Sequence, residues 1–262
     1  MAKAKNVMDD DAIIDGLNTL KLRGMAEAYI NQKNNPLFSN MSFRERFAAM
    51  LTVELESKST RRTERLLKES RIANITALQE PLYWDENRGM KEADFRMLCE
   101  CDWMLDDTPP MLLLTGSAGT GKTFFAEYLG LKAIRKGLTV LVCKWPELVL
   151  QIIQAKEARE LDRLIRTFRT KKLLIIDDFG LQRITDSVVL HTFQTIVDSR
   201  WGQLPMIITS QCPVDKWYEL FNEAYVADAV MDRLTARSYR YELKGRSMRE
   251  KRSLENQPVK KR

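Results

Sequence analysis

The sequence predicts an α/β fold, a parallel sheet flanked by helices, preceded by a small all-α domain. Three observations predict it. Apolar strand-like runs alternate with helical stretches from residue 111 onward. One of these runs, "MLLLT", leads directly into the glycine-spaced loop "GSAGTGKT". The first 75 residues, in contrast, carry only helical periodicity.

At the N-terminus, "AIIDGLNTLKL" places Ile13, Leu17 and Leu20 on one helical face, and Gly24 punctuates the chain before a short helix over 25–30. "NNPLFSNMS" reads as a loop. Ser42 and Glu45 form a capping-box pattern, after which Phe43, Phe47, Met50 and Leu51 begin the apolar stripe of a long helix running to about Arg71. Residues 76–110 hold Pro81, Gly89, Pro109 and Pro110 around a short helix over 92–105, and read as a linker. Then come a strand over 111–115, a helix over 122–135, a strand over 139–143 and two helices to about Arg169. A strand over 173–177, a helix to about Arg200, a strand over 206–209, two further helices and a strand over 239–243 complete the pattern. Apolar strands separated by helices argue for a parallel sheet covered on both faces.

With 262 residues the chain can bury a core without disulfide or metal support. Cys99, Cys101, Cys143 and Cys212 lack CxxC pairing, and the single histidine, His191, completes no zinc site with them at any usual spacing. No apolar run approaches the roughly 20 residues that cross a bilayer, and the first residues lack a signal-peptide core, so a soluble, cytoplasmic protein with no membrane partner is expected. Net charge is +6, and the stretch from Lys244 onward alone carries eight Lys/Arg against two Glu. Such a basic tail either contacts nucleic acid or is simply solvated.

The loop Gly116, Ser117, Ala118, Gly119, Thr120, Gly121, Lys122, Thr123 fits GxxxxGK[ST] at every defined position. A chain of this length holds that pattern by accident about one time in a hundred. A buried-type strand before it and a helix after it make backbone N–H groups and a helix N-terminus converge on one point, the requirement for holding phosphates. Lys122 then reaches the β and γ phosphates of a nucleotide and the Thr123 hydroxyl ligates Mg²⁺, while Gly119 and Gly121 permit positive φ. "LLIIDD" supplies the second metal partner at the end of another strand: Asp177 holds Mg²⁺ through water and Asp178 polarises the attacking water. The strand "PMIITSQ" ends in Thr209, Ser210 and Gln211, which either sense the γ-phosphate or form a turn. Asp232 next to Arg233 reads by default as a surface ion pair.

Two sets of cations recur at helical spacing. Lys58, Arg61, Arg65 and Lys68, with Arg62 alongside, line one face of the long N-terminal helix. Lys156, Arg159, Arg163 and Arg166, followed by Arg169, share a face in the helices after the second strand, with Glu157, Glu160 and Asp162 largely off that line. Either set is a solvated surface or a row that tracks a nucleic-acid backbone.

The order GSAGTGKT, LLIIDD, ITSQ, DRL and KGRSMR resembles the AAA+ P-loop ATPases of the DnaC helicase-loader clade, and more closely the IstB-type transposition helpers. "LKLRGMAEAY" and "RRTERLLKESRI" are similar to the helical N-terminal domain of those helpers, so the resemblance spans nearly the whole chain. It implies an ATPase that self-associates in its ATP form on double-stranded DNA and delivers it to a transposase encoded nearby. It implies further that Arg233 is an arginine finger, that Ser210 and Gln211 occupy the sensor position, and that Arg249 is a second sensor. Asp178 departs from the commoner glutamate, and Gln211 from the commoner asparagine. The domains expected are a DNA- or partner-binding domain over 1–75, a linker over 76–110, the ATPase domain over 111–250 and a basic tail over 251–262. A replicative helicase loader is the alternative, and a small-molecule kinase with the same loop a more distant one, for which no acceptor-binding lid is visible.

Overall fold

The computed structural model describes residues 8–80, 82, 88–245, 247 and 248, and divides into two compact units, residues 1–65 and 66–262. No helix among the described residues is long and apolar enough to cross a membrane.

In the first unit, α1 (Asp10–Thr19) is capped by Asp9, whose carboxylate accepts the Ala12 amide at 2.8 Å. Gly24 does not separate two helices; it lies inside the first turn of α2 (Arg23–Asn34). A Cβ there would come within 2.9 Å of the Glu54 Cα and the Val53 carbonyl, so glycine lets α2 press against α3 (Phe43–Ser70). The buried Glu54 carboxylate accepts the Met25 amide at 3.1 Å and so caps α2 from the neighbouring helix. The capping box at the start of α3 forms in both directions, Ser42 N to Glu45 Oε2 at 2.7 Å and Glu45 N to Ser42 Oγ at 3.3 Å.

The second unit is built on a five-stranded parallel sheet in the order β2-β3-β4-β1-β5. The strands are β1 (Met111–Gly116), β2 (Val140–Lys144), β3 (Leu173–Phe179), β4 (Met206–Ser210) and β5 (Ser238–Leu243). Side chains alternate between faces, so Leu113, Ile176 and Ile208 join one core with α6 (Trp145–Glu157), α8 (Ser187–Arg200) and α9 (Ala224–Thr235). Leu112, Leu114, Ile175 and Ile207 join the other with α5 (Lys122–Arg135).

The described part of 76–110, expected to be a linker, contributes to the second core: Ala77, Phe95, Leu98, Trp103 and Met104 are buried in it. The helix expected to run to Leu105 stops at Cys99 as α4 (Glu92–Cys99), because Cys101 takes a left-handed φ of 60° before a short 3₁₀ turn. The chain separates after Arg65, within α3, rather than after residue 75. After β4 the first of the two expected helices is a 3₁₀ segment, Val214–Leu220.

Arg200, at the end of α8, is fully buried and donates to four backbone carbonyls: Phe168 at 2.7 Å, Lys171 at 2.8 Å, Lys172 at 3.4 Å and Pro205 at 2.7 Å. It thereby ties the end of α7 (Leu161–Thr170) to the starts of β3 and β4.

Candidate nucleotide site

β1 ends at Gly116, α5 begins at Lys122, and the turn between them holds Gly119 at φ 81° and Gly121 at φ 95°. Both values favour glycine. The loop opens onto a cavity of about 480 Å³ lined by Gly119, Gly121, Lys122, Thr123, Asp178 and Gln211 together with Asn74, Leu82, Arg88 and Glu127. Ala118 also lines it, whereas the Ser117 and Gly116 carbonyls accept the buried Lys122 Nζ at 2.8 Å each.

Thr123 Oγ1 donates to both oxygens of Asp177, at 2.9 and 3.1 Å, across the gap between α5 and β3. Asp177 is 2% exposed. These two groups can share a divalent cation with phosphate oxygens and water. Among the described residues no group of three His, Cys, Asp or Glu forms a metal cage, and a small hard cation that keeps its waters and takes one carboxylate fits such a sparse donor set.

Asp178 occupies φ 57°, where the ladder between β3 and β4 shifts register. Short side chains that hydrogen-bond locally tolerate this left-handed region better than longer ones, a physical reason for aspartate here in place of glutamate. Burial, and next the neighbouring Asp177, push the Asp178 carboxyl above its ordinary value, with Lys122, a hydrogen bond from Gln211 and Lys144 opposing.

Of the two expected sensors, Gln211 lines the cavity, but Ser210 does not. Its buried hydroxyl donates to the Phe179 carbonyl at 2.6 Å and accepts the Cys212 amide at 3.0 Å. The residue one place earlier faces the acidic pair: Thr209 Oγ1 donates to Asp177 Oδ1 at 2.5 Å and accepts the Asp178 amide at 3.0 Å.

Arg233 pairs not with Asp232 but with Asp198 of α8, Nε to Oδ1 at 2.6 Å, and donates to the Ala229 carbonyl at 2.8 Å. It stands in the last turn of α9, just before β5, which runs parallel to β1 from the Met111–Ser238 pair to the Gly116–Leu243 pair. The guanidinium therefore lies at the amino edge of the sheet and the phosphate loop at the carboxyl edge, about one strand length, roughly 17–20 Å, away. Arg249 falls outside the described residues.

The two basic rows are exposed. On α3, Lys58 pairs with Glu54 at 3.3 Å, while Arg61, Arg62, Arg65 and Lys68 lie farther along the same helix. The second row does not sit on one continuous helix. Lys156 lies in the last turn of α6, Arg159 takes φ 58° in the turn, and Arg163, Arg166 and Arg169 belong to α7, with Arg163 paired to Glu160 at 3.4 Å.

Sequence reasoning also missed Glu127, whose buried carboxylate accepts the Ala73 and Asn74 amides at 2.9 and 3.1 Å and draws that segment onto α5 beside the cavity. A charged residue among Phe125, Ala126 and Leu129 was the available signal.

Comparison with known proteins adds three kinds of finding. The pattern of the family described as "IstB-like ATP binding protein" matches residues 16–256. An insertion sequence ATP-binding protein of Sinorhizobium fredii is 33% identical over 236 residues, 90% of this chain and 95% of that one. The ATP-binding protein of insertion sequence IS1162 from Pseudomonas fluorescens is 34% identical over 197 residues, 75% of this chain and 84% of that one. In three dimensions the chain is similar to DnaI, with a TM-score of 0.55 at 19% identity over 69% of this chain and 94% of that chain, a likeness of fold.

Proposed function

The chain belongs to the IstB-like ATP binding protein family, and from that premise we propose that it is an AAA+ ATPase that binds and hydrolyses ATP with Mg²⁺ and acts as a DNA-assembling helper of a transposase. The observation that carries the ATPase reading is the contact of Thr123 with Asp177 beside the glycine loop. It brings the hydroxyl and carboxylate that flank a nucleotide-bound cation together from two different elements.

In this reading the loop amides from Gly116 to Thr123 hold the phosphates, and Lys122 exchanges its two loop carbonyls for β and γ oxygens. Mg²⁺ supplies charge neutralisation on the transferred phosphoryl group, held by Thr123 and, through water, Asp177. Asp178 orients and deprotonates the attacking water, and Gln211, hydrogen-bonded to Asp178, reports on the γ-phosphate. Arg233 completes the site of a neighbouring copy, because its own loop lies at the other edge of the sheet. The basic side chains of α3 and of α6 and α7 contact the double-stranded DNA backbone, and the N-terminal unit carries DNA or partner contacts.

Insertion-sequence names among the relatives support a transposase as partner. Lys122→Ala tests the core of the proposal. The variant is expected to lose ATP binding and the ATP-dependent shift of duplex DNA in a gel, since no neighbour replaces its charge-assisted bonds. An undiminished shift refutes it. Co-purification with the neighbouring transposase, against a ring helicase as control, tests the partner.

A further inference from the structure

Arg88 is 6% exposed and lies against the phosphate loop. Its Nη2 donates to the Thr120 carbonyl at 3.2 Å, and its guanidinium carbon sits 4.7 Å from the centre of the Phe125 ring. Phe125 is itself buried in the first turn of α5, so the cation rests on a fixed platform. A Cβ on Gly121 would approach the same nitrogen to 2.9 Å.

The backbone of Arg88 is anchored as well. Its carbonyl accepts the Lys244 amide at 2.9 Å, just beyond β5, and Gly89 lies so close to the Glu242 carbonyl that a Cβ would come within 1.9 Å of it. The segment after β5 also meets the loop itself, where the Met248 amide donates to the Gly119 carbonyl at 2.9 Å.

Two successive peptide groups of the loop are thus held from outside by their carbonyls. A trans peptide points its N–H opposite to its C=O, so holding the Thr120 carbonyl sets the aim of the Gly121 amide. Amides of this kind are what the loop offers to phosphate oxygens. A loop that must organise on binding loses part of its affinity to ordering, whereas one already held does not.

We infer that Arg88 is a positioning residue of the nucleotide site, holding the loop in its phosphate-accepting form. The inference rests on the loop being the ATP site. Because Arg88 acts through the loop, its removal weakens di- and triphosphates alike.

The test uses the full chain and fluorescent ADP and ATP, with Arg88→Met to keep an apolar stem over Phe125, Arg88→Lys to keep a cation, and Lys122→Ala in parallel. Arg88→Met is expected to weaken both nucleotides by the same factor, about tenfold, as for loss of one charge-assisted hydrogen bond. Arg88→Lys, or added methylguanidinium, is expected to recover part of that loss. Parent-like affinity in Arg88→Met overturns the inference, and so does a loss confined to ATP. A lowered melting temperature with no recovery by either route also overturns it, since the role is then structural. Parent-like binding by Lys122→Ala overturns the loop as the ATP site, and the inference with it.

Discussion

Thr209 Oγ1 lies 2.5 Å from Asp177 Oδ1 and accepts the Asp178 amide at 3.0 Å, so one hydroxyl on β4 holds both acidic residues of β3. Thr209→Val keeps the shape and removes the hydrogen bonds. The expected result is a hydrolysis rate lower by about 10- to 100-fold, the usual cost of losing a group that orients a cation's ligand, with ATP affinity retained. Thr209→Ser should restore most of the rate. Steady-state kinetics over a Mg²⁺ series check this, and an unchanged rate in Thr209→Val rules the arrangement out.

Asp178→Asn should bind ATP and Mg²⁺ yet turn over slowly, because Asp177 still faces Thr123. Asparagine also tolerates the φ of 57°, so the backbone is preserved. The raised pKa adds a second expectation. The folded chain holds the Asp178 proton more tightly than the unfolded chain, so stability falls as pH rises from the ordinary value of 3.8 through the raised folded value. Asp178→Asn removes that loss. It should melt at a higher temperature than the parent at neutral pH, with the gain vanishing below about pH 3.8. Melting curves across pH decide.

Arg233→Ala should still bind ATP but lose hydrolysis by about 10³ to 10⁵, the range for an arginine finger. Mixed with Lys122→Ala subunits it should regain part of the activity, because one interface then joins an intact loop to an intact finger. Mixtures that co-assemble without any rescue would leave Arg233 as the ion-pair partner of Asp198 only.

Arg200→Leu removes the guanidinium donors from the carbonyls of Phe168, Lys171, Lys172 and Pro205, of which Pro205 keeps only a long bond from the Leu174 amide at 3.5 Å. The bonds to Phe168 and Pro205 are buried, and buried acceptors deprived of a donor cost about 1–3 kcal/mol each, so a loss of about 2 kcal/mol or more in urea unfolding is expected. Arg200→Lys, with fewer donors, should fall between variant and parent.

The sheet was readable from sequence because its buried strands are short apolar runs between glycine- and proline-marked turns, and the loop because eight consecutive residues carry its chemistry. Register was not readable. Whether Thr209 or Ser210 faces Asp177 depends on how β4 pairs with β3, and a one-residue difference turns a side chain to the other face. Gly24 looked like punctuation because only the position of α3 reveals the close approach. Arg88 and Glu127 carry no motif, and their meaning comes from segments far apart in the chain that meet at one cavity.

The strand order has a consequence for synthesis. β1 lies between β4 and β5, both of which follow it in the chain, so no ladder partner exists for it until residues 206–210 have been made. The interval from Gly116 to Met206 is about 90 residues, roughly 5 to 20 s at cellular elongation rates of about 5–20 residues per second. For that time an apolar strand and its phosphate loop leave the ribosome without a sheet to join. The second unit should therefore close its sheet only once β4 has been made, and lean on chaperones more heavily than its size alone would suggest.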